Sequence, residues 1–144
     1  MPAQCSILVA EDNPTNQAVV RALLGGFGWE ITFADNGAKA VEACQAGNFD
    51  LILMDIHMPV MDGMEATSSI RGLQSSVARI PNIALTADPA LSDPDCARRS
   101  GFNGYVAKPI EMNGLLVAIA TALSTKTSDQ VETQSLGNRE PAAA

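Results

Sequence analysis

The sequence predicts an α/β fold, a doubly wound, five-stranded parallel sheet with strand order 2-1-3-4-5. Apolar runs alternate with segments of helical periodicity, which gives five strand–helix units without internal repeats and is typical of a parallel sheet covered by helices on both faces. The second run, 30–34, alternates polar and apolar residues and suits an edge strand. The runs at 7–10 and 51–54 are continuously apolar, which suits the middle of a sheet.

Each element carries a local signal. Strands are predicted at about 5–10, 30–34, 51–55, 82–86 and 104–107. A polar N-cap followed by proline, glycine or a capping box marks most helix starts. The predicted starts are Asn13-Pro14, Asn36-Gly37, Asp62–Glu65, Asp93-Pro94 and, for an amphipathic fifth helix, Met112.

The 144 residues are enough for one domain with a sizeable core. We assign residues 1–123 to this domain. The segment 124–144 is rich in Ser, Thr, Gln, Glu and Ala, and it has too few apolar side chains to balance the entropy lost on ordering. We therefore expect residues 124–144 to form a disordered C-terminal tail.

Composition argues against several functional classes. The net charge is −7 and the nine Lys and Arg residues are scattered, so we expect no nucleic-acid binding. The apolar runs are far shorter than a membrane span and no basic leader precedes the first strand, so we expect neither membrane insertion nor a signal peptide. Three cysteines without CxxC spacing predict free thiols in a reducing cytoplasm.

Charged and polar residues stand where the apolar runs end. Glu11 and Asp12 end the first strand, Asp55 the third, Thr86 the fourth and Lys108 the fifth. Taken singly, each has an ordinary explanation as a turn, cap, strand or surface residue. Because the carboxyl ends of parallel strands share one edge of the sheet, their joint placement predicts a charged functional site.

The residue types indicate phosphoryl-transfer chemistry. Glu11, Asp12 and Asp55 would repel one another and raise each other's pKa values, and Mg²⁺ suits an all-oxygen site that relieves this repulsion. Asp55 stands alone on its loop and can attack phosphorus to give an aspartyl phosphate. Lys108 and Thr86 can then neutralise and hydrogen-bond the phosphoryl oxygens.

Other polar or polarisable residues have simpler explanations. His57, the only histidine, is expected to be a solvated loop residue and not a catalytic one. Met58, Met61 and Met64 are expected to pack in the loop and helix and not to bind a ligand. For Tyr105, simple strand packing and a functional role both stay open.

Four segments together resemble the receiver domains of two-component response regulators over about residues 6–123. The first loop is similar in Ile7–Asn13, the phosphoacceptor loop in Asp55–Gly63, and the last two motifs in Ala84–Ala87 and Tyr105–Pro109. Asn13–Gln17 resembles receivers attached to hybrid sensor kinases. Pro89 and Pro94 depart from the family pattern, and they predict a fourth helix that starts late or is loosely formed.

The resemblance implies a fold of the flavodoxin-like class and a phosphoacceptor function. It implies that Glu11, Asp12, Asp55 and the His57 carbonyl hold Mg²⁺. It implies that Asp55 takes a phosphoryl group from the phosphohistidine of a sensor histidine kinase or histidine phosphotransfer protein, and that the chain catalyses its own phosphorylation and dephosphorylation without being an enzyme toward other molecules.

The resemblance also implies how the signal leaves the domain. Thr86 and Tyr105 would form a conformational switch that changes the face made by the fourth helix, fifth strand and fifth helix, where a downstream protein partner binds. It further implies a cis peptide bond between Lys108 and Pro109.

Three other classes of protein share part of this pattern. A haloacid-dehalogenase-like phosphohydrolase also forms an aspartyl phosphate, but it needs a second acid two residues after the nucleophile, where His57 stands, and a cap insertion for which the chain has no room. A flavin carrier with this strand order would bind phosphate at its first loop, where Glu11 and Asp12 would repel it. A degenerate receiver is disfavoured because the acidic site is complete.

Overall fold

The computed structural model describes residues 4–73, 75–87 and 93–124. Five parallel strands form one sheet in the order β2-β1-β3-β4-β5, which confirms the predicted class and strand order. The predicted disordered tail, apart from Ser124, lies outside the described residues, as does Pro89. The strands are β1 (Ser6–Ala10), β2 (Glu30–Ala34), β3 (Leu51–Asp55), β4 (Asn82–Thr86) and β5 (Gly104–Ala107).

The helices begin at or within a residue of the predicted positions. The Asn13 side chain accepts hydrogen bonds from the first turn of the first helix, and Asp62 and Glu65 form the reciprocal capping box of the third. Single 3₁₀ turns cover Gly25–Phe27 and Ser76–Arg79. The helices are α1 (Pro14–Leu24), α2 (Gly37–Ala46), α3 (Gly63–Arg71), α4 (Pro94–Arg99) and α5 (112–124).

Two apolar layers enclose the sheet. Leu51 and Leu53 of β3 pack on the face covered by α1 and α5, whereas Ile52 and Met54 pack on the face covered by α2, α3 and α4. All five β3 residues are buried, because a strand in the middle of the sheet has helices on both sides. Asp55 is the last residue of β3 and therefore lies at the carboxyl edge of the sheet.

The fourth helix is short. Within the described residues it begins at Pro94, is capped by Asp93 and runs for six residues, in agreement with the expected late start.

The Lys108–Pro109 peptide bond is cis, as the resemblance implied. All three cysteines are free thiols. Within the part of the chain that the structure describes, no helix has the length and apolar character needed to cross a membrane.

Candidate functional site

The loop after β1 supplies two of the three carboxylates. The Glu11 N–H continues the ladder to β2 by donating to the Ala34 carbonyl oxygen at 2.9 Å, which fixes Glu11 at the edge of the sheet. Its side chain is fully buried, and its Oε2 accepts a hydrogen bond of 3.2 Å from the Asn13 N–H. Burial raises the pKa of Glu11 despite that hydrogen bond, and the nearby charge of Asp55 raises it further. Asp12, in contrast, is exposed.

Asp55 lies at the end of β3, and the following loop returns directly over its backbone. The Gly63 N–H donates to the Ile56 carbonyl oxygen at 2.8 Å. A Cβ at Gly63 would overlap the Asp55 carbonyl oxygen, so this close approach requires glycine. The His57 N–H points back to Asp55 and donates to Oδ1 at 3.4 Å. The loop therefore holds the carboxylate in place at the mouth of the site.

Lys108 follows β5, the edge strand beside β4, and supplies the positive charge of the site. Its N–H donates to the Thr86 carbonyl oxygen at 3.0 Å, which extends the β4–β5 ladder by one residue. Its Nζ then lies 3.0 Å from Asp55 Oδ1 and 3.3 Å from Glu11 Oε1. Burial lowers the pKa of Lys108, but the hydrogen bond and charge of Asp55, aided by Glu11, outweigh it, so that the net pKa is raised.

The three carboxylates form one cluster. One oxygen from each of Glu11, Asp12 and Asp55 lies within 4.8 Å of the others. The single ammonium of Lys108 cannot balance three negative charges, and oxygen ligands in this number suit a hard divalent cation. The structure thus brings together the predicted acids and lysine into a group that could hold a metal ion.

Thr86 and Tyr105 lie on neighbouring strands and face the same side of the sheet. Tyr105 pairs with Ala84 in the β4–β5 register, and Thr86 follows Ala84 by two residues, so its side chain points to the same face. Thr86 is buried, whereas Tyr105 is partly buried and packs against the core layer under α2 to α4. The two side chains therefore lie on the same face of neighbouring strands.

The remaining predicted residues lie close to the site without joining the acidic cluster. His57 is exposed, as expected for a solvated loop residue, and only its backbone N–H reaches Asp55. Met58 and Met61 pack against the core, whereas Met64 is exposed on the first turn of α3.

The sequence did not indicate two sets of supporting contacts, made by Gln17 and Gly37. The Gln17 amide donates to the Glu11 carbonyl oxygen at 2.6 Å and to Asp35 Oδ1 at 3.3 Å, which ties α1 to the acidic loop. Gly37 opens α2 and donates its N–H to the Met61 carbonyl oxygen at 2.9 Å. Gln17 belongs to the segment that resembled hybrid-kinase receivers, but no spacing rule indicated these contacts.

Comparison with known proteins identifies the family of this chain. The family model of the response regulator receiver domain matches residues 7–120. Hybrid signal transduction histidine kinase I of Dictyostelium discoideum is 38% identical over 123 residues, which cover 81% of this chain and 7% of that protein. Sensor protein GacS of Pseudomonas syringae pv. syringae is 39% identical over 106 residues, covering 72% of this chain and 12% of that protein. The chain thus spans only a small part of these relatives.

Solved structures show the same likeness. The receiver domain of the sensor histidine kinase PA1611 from Pseudomonas aeruginosa PAO1, with magnesium coordinated in its active site cleft, has a TM-score of 0.73 and 38% identity, covering 83% of this chain and 98% of that one. A chain in the co-crystal of the Saccharomyces cerevisiae histidine phosphotransfer protein Ypd1 with the Ssk1 receiver domain has a TM-score of 0.70 and 33% identity. The match covers 78% of this chain and 83% of that one. The chain therefore belongs to the response regulator receiver domain family.

Proposed function

We propose that Asp55 accepts a phosphoryl group from a phosphohistidine of a sensor histidine kinase or histidine phosphotransfer protein. The observation that carries the proposal is the Asp55 carboxylate at the mouth of the site, 3.0 Å from the Lys108 ammonium and beside two further acids. A carboxylate oxygen attacks phosphorus, the P–N bond breaks, and the imidazole leaves with the electron pair and takes up a proton. The product is an aspartyl phosphate.

Glu11, Asp12, Asp55 and the carbonyl oxygen of His57 are proposed to hold Mg²⁺. The fit rests on the three oxygen ligands within reach of one another and on the surplus of negative charge. When bound, Mg²⁺ neutralises charge on the phosphoryl oxygens during transfer. The magnesium ion in the cleft of the PA1611 receiver supports this assignment.

Lys108 and Thr86 are proposed to bind the transferred group. The Lys108 Nζ lies within ion-pair distance of both Asp55 and Glu11 and can contact a phosphoryl oxygen once Asp55 carries the phosphoryl group. Thr86 is proposed to hydrogen-bond another oxygen, a charge-assisted bond that is stronger than a neutral one. The movement of Thr86 would reach Tyr105 on the same face of the sheet and change the surface formed by α4, β5 and α5, where a downstream protein binds.

The same residues are proposed to let the chain catalyse its own phosphorylation and dephosphorylation, without acting on other substrates as an enzyme. We propose a cytoplasmic location and protein partners alone, with neither nucleic acid nor membrane bound by this domain. The haloacid-dehalogenase alternative has no support, because the family match is to receiver domains and because His57 stands where a second acid is needed.

The nucleophile is tested by labelling with acetyl phosphate and Mg²⁺. We expect wild type to gain one hydroxylamine-labile phosphoryl group and Asp55→Asn to gain none, because the amide is not an anionic nucleophile. Asp50→Asn is the matched control: Asp50 is partly buried at the opposite end of β3, where it accepts from the Ser6 N–H at 2.9 Å, and it should label like wild type. Undiminished labelling of Asp55→Asn, read by intact-mass spectrometry, would overturn the assignment.

A further inference from the structure

Val60 lies in the loop between β3 and α3, and its side chain projects into solvent. It is 84% exposed, more than any other large hydrophobic residue in the described part of the chain. Its φ is 69°, and among the described residues no other non-glycine residue has a positive φ. A β-branched side chain is strained in this left-handed region. Both the exposure and the backbone of Val60 are thus unfavourable for the domain on its own.

The loop is anchored on both sides of Val60. Met58 and Met61 pack against the core layer under α2 to α4. The Met61 carbonyl oxygen accepts from the Gly37 N–H at 2.9 Å, and the Ile56 carbonyl oxygen accepts from the Gly63 N–H at 2.8 Å. These contacts anchor the loop in the conformation that leaves Val60 exposed.

The loop belongs to the same edge of the sheet as Asp55. Val60 follows Asp55 by five positions, which would allow about 18 Å between the two Cα atoms in a fully extended chain. The loop is not extended, because the Gly63 N–H closes it onto the Ile56 carbonyl oxygen at 2.8 Å, so Val60 lies closer to Asp55 than this limit. A protein–protein interface of ordinary size covers roughly 800 Å² on each partner, a disc of about 16 Å radius. A protein that brings a phosphorus atom into contact with Asp55 must therefore lie over the loops at this edge.

We propose that Val60 is an apolar docking contact for the phosphohistidine-bearing donor protein, which meets it with an apolar patch beside its histidine. The proposal rests on the phosphoacceptor function above. The donor is the occupant because it alone has to approach Asp55, whereas a small phosphodonor gains nothing from an apolar side chain outside the site. Val60 thus contributes to the choice of donor and not to the chemistry at Asp55.

The experiment compares a protein donor with a small donor that breaks the same P–N bond. Wild type and Val60→Asn are labelled with phosphorylated Ypd1 and, separately, with phosphoramidate. Asparagine is polar and tolerates the left-handed region. We expect unchanged labelling by phosphoramidate, an equal or higher melting temperature, and a loss of about tenfold in kcat/KM with phosphorylated Ypd1, which corresponds to the burial of much of one valine side chain.

Two further variants make the test specific. Val60→Leu keeps an apolar side chain and should retain most of the rate with phosphorylated Ypd1. Val117→Asn is the matched control, because Val117 is a second exposed valine, 65% exposed on α5, and it should react with both donors like wild type.

The outcomes separate this proposal from the proposed function. Equal rates for Val60→Asn and wild type with phosphorylated Ypd1, or an equal loss with both donors, would overturn the docking role alone. A wild-type chain that phosphoramidate labels and phosphorylated Ypd1 does not would contradict docking of this donor class. Failure of phosphoramidate to label Asp55 would instead overturn the phosphoacceptor function. A change in oligomeric state in Val60→Asn, seen by sedimentation, would assign Val60 to a second copy of the chain.

Discussion

Two partly buried cations, at opposite edges of the sheet, have different partners. At the amino edge, Arg71 donates to the carbonyl oxygens of Gly101, Ala78 and Ile80 and to Asn103 Oδ1, at 2.7–2.9 Å. These partners carry no charge, and burial lowers the pKa of Arg71. At the carboxyl edge, Lys108 contacts the carboxylates of Asp55 and Glu11, and its pKa is raised.

The difference shows what each cation does for the molecule. Arg71 satisfies neutral acceptors on two segments and thereby joins α3 to the 3₁₀ turn before β4 and to the segment before β5. The acceptors around the Arg71 guanidinium are all neutral and hydrogen-bonded, so this group of contacts has no surplus negative charge. Lys108 contacts two members of a cluster of three carboxylates, so its one positive charge leaves a surplus of negative charge that suits a further cation. One edge of the sheet is built for stability, and the other keeps unfavourable charge for function.

The largest effect is expected at the amino edge. Arg71→Met should lower the free energy of unfolding by about 3 kcal/mol, because partly buried carbonyl groups lose their hydrogen bonds. Urea unfolding followed by the fluorescence of Trp29, the single tryptophan, measures this change. Arg98→Met is the matched control, since the Arg98–Asp95 ion pair is exposed and should contribute less than about 0.5 kcal/mol. Equal effects of the two substitutions would show that the Arg71 contacts are dispensable.

Lys108→Met should have a smaller effect that depends on Mg²⁺. In chelator we expect a loss of about 2 kcal/mol, because the buried Glu11 and Asp55 carboxylates lose their counter-charge. Mg²⁺ should restore part of this stability, since a ligand that binds only the folded state stabilises it. Arg71→Met should show no greater Mg²⁺ stabilisation than wild type. Urea unfolding curves in chelator and in saturating Mg²⁺ measure the free energy of unfolding of both variants. If Mg²⁺ stabilised Lys108→Met and Arg71→Met equally, the two edges of the sheet would not differ in the way described.

The smallest effect is expected from Glu11→Gln, which should stabilise the protein in chelator by about 1 kcal/mol at neutral pH. The pKa of Glu11 is raised in the folded chain, so ionisation of Glu11 destabilises the fold as the pH rises from its ordinary pKa through the raised one. The gain in the variant should therefore be absent at acid pH and complete above the raised pKa. Urea titrations across this range check the sign, and a gain that grows toward acid pH would contradict it.

Much of the fold follows from local patterns. The continuous apolar run ending at Asp55 predicted a central strand, and the alternation over Glu30–Ala34 predicted an edge. The N-caps predicted at Asn13 and Asp62 are observed, and each helix begins at the residue after its cap. Such caps are predictable because the capping side chain accepts from backbone N–H groups only two or three residues away. The convergence of Glu11, Asp12, Asp55 and Lys108 followed from strand topology, since residues that end parallel strands meet at one edge.

The sequence by itself therefore determined the class of sheet, the order of its strands and the set of charges at the carboxyl edge, because periodicity and strand-end position are local properties. Only the tertiary structure decided the hydrogen bonds of Arg71, the support of the acidic loop by Gln17 and the outward, strained position of Val60. These features depend on contacts between segments far apart in the chain, whose distances and backbone angles no local pattern specifies.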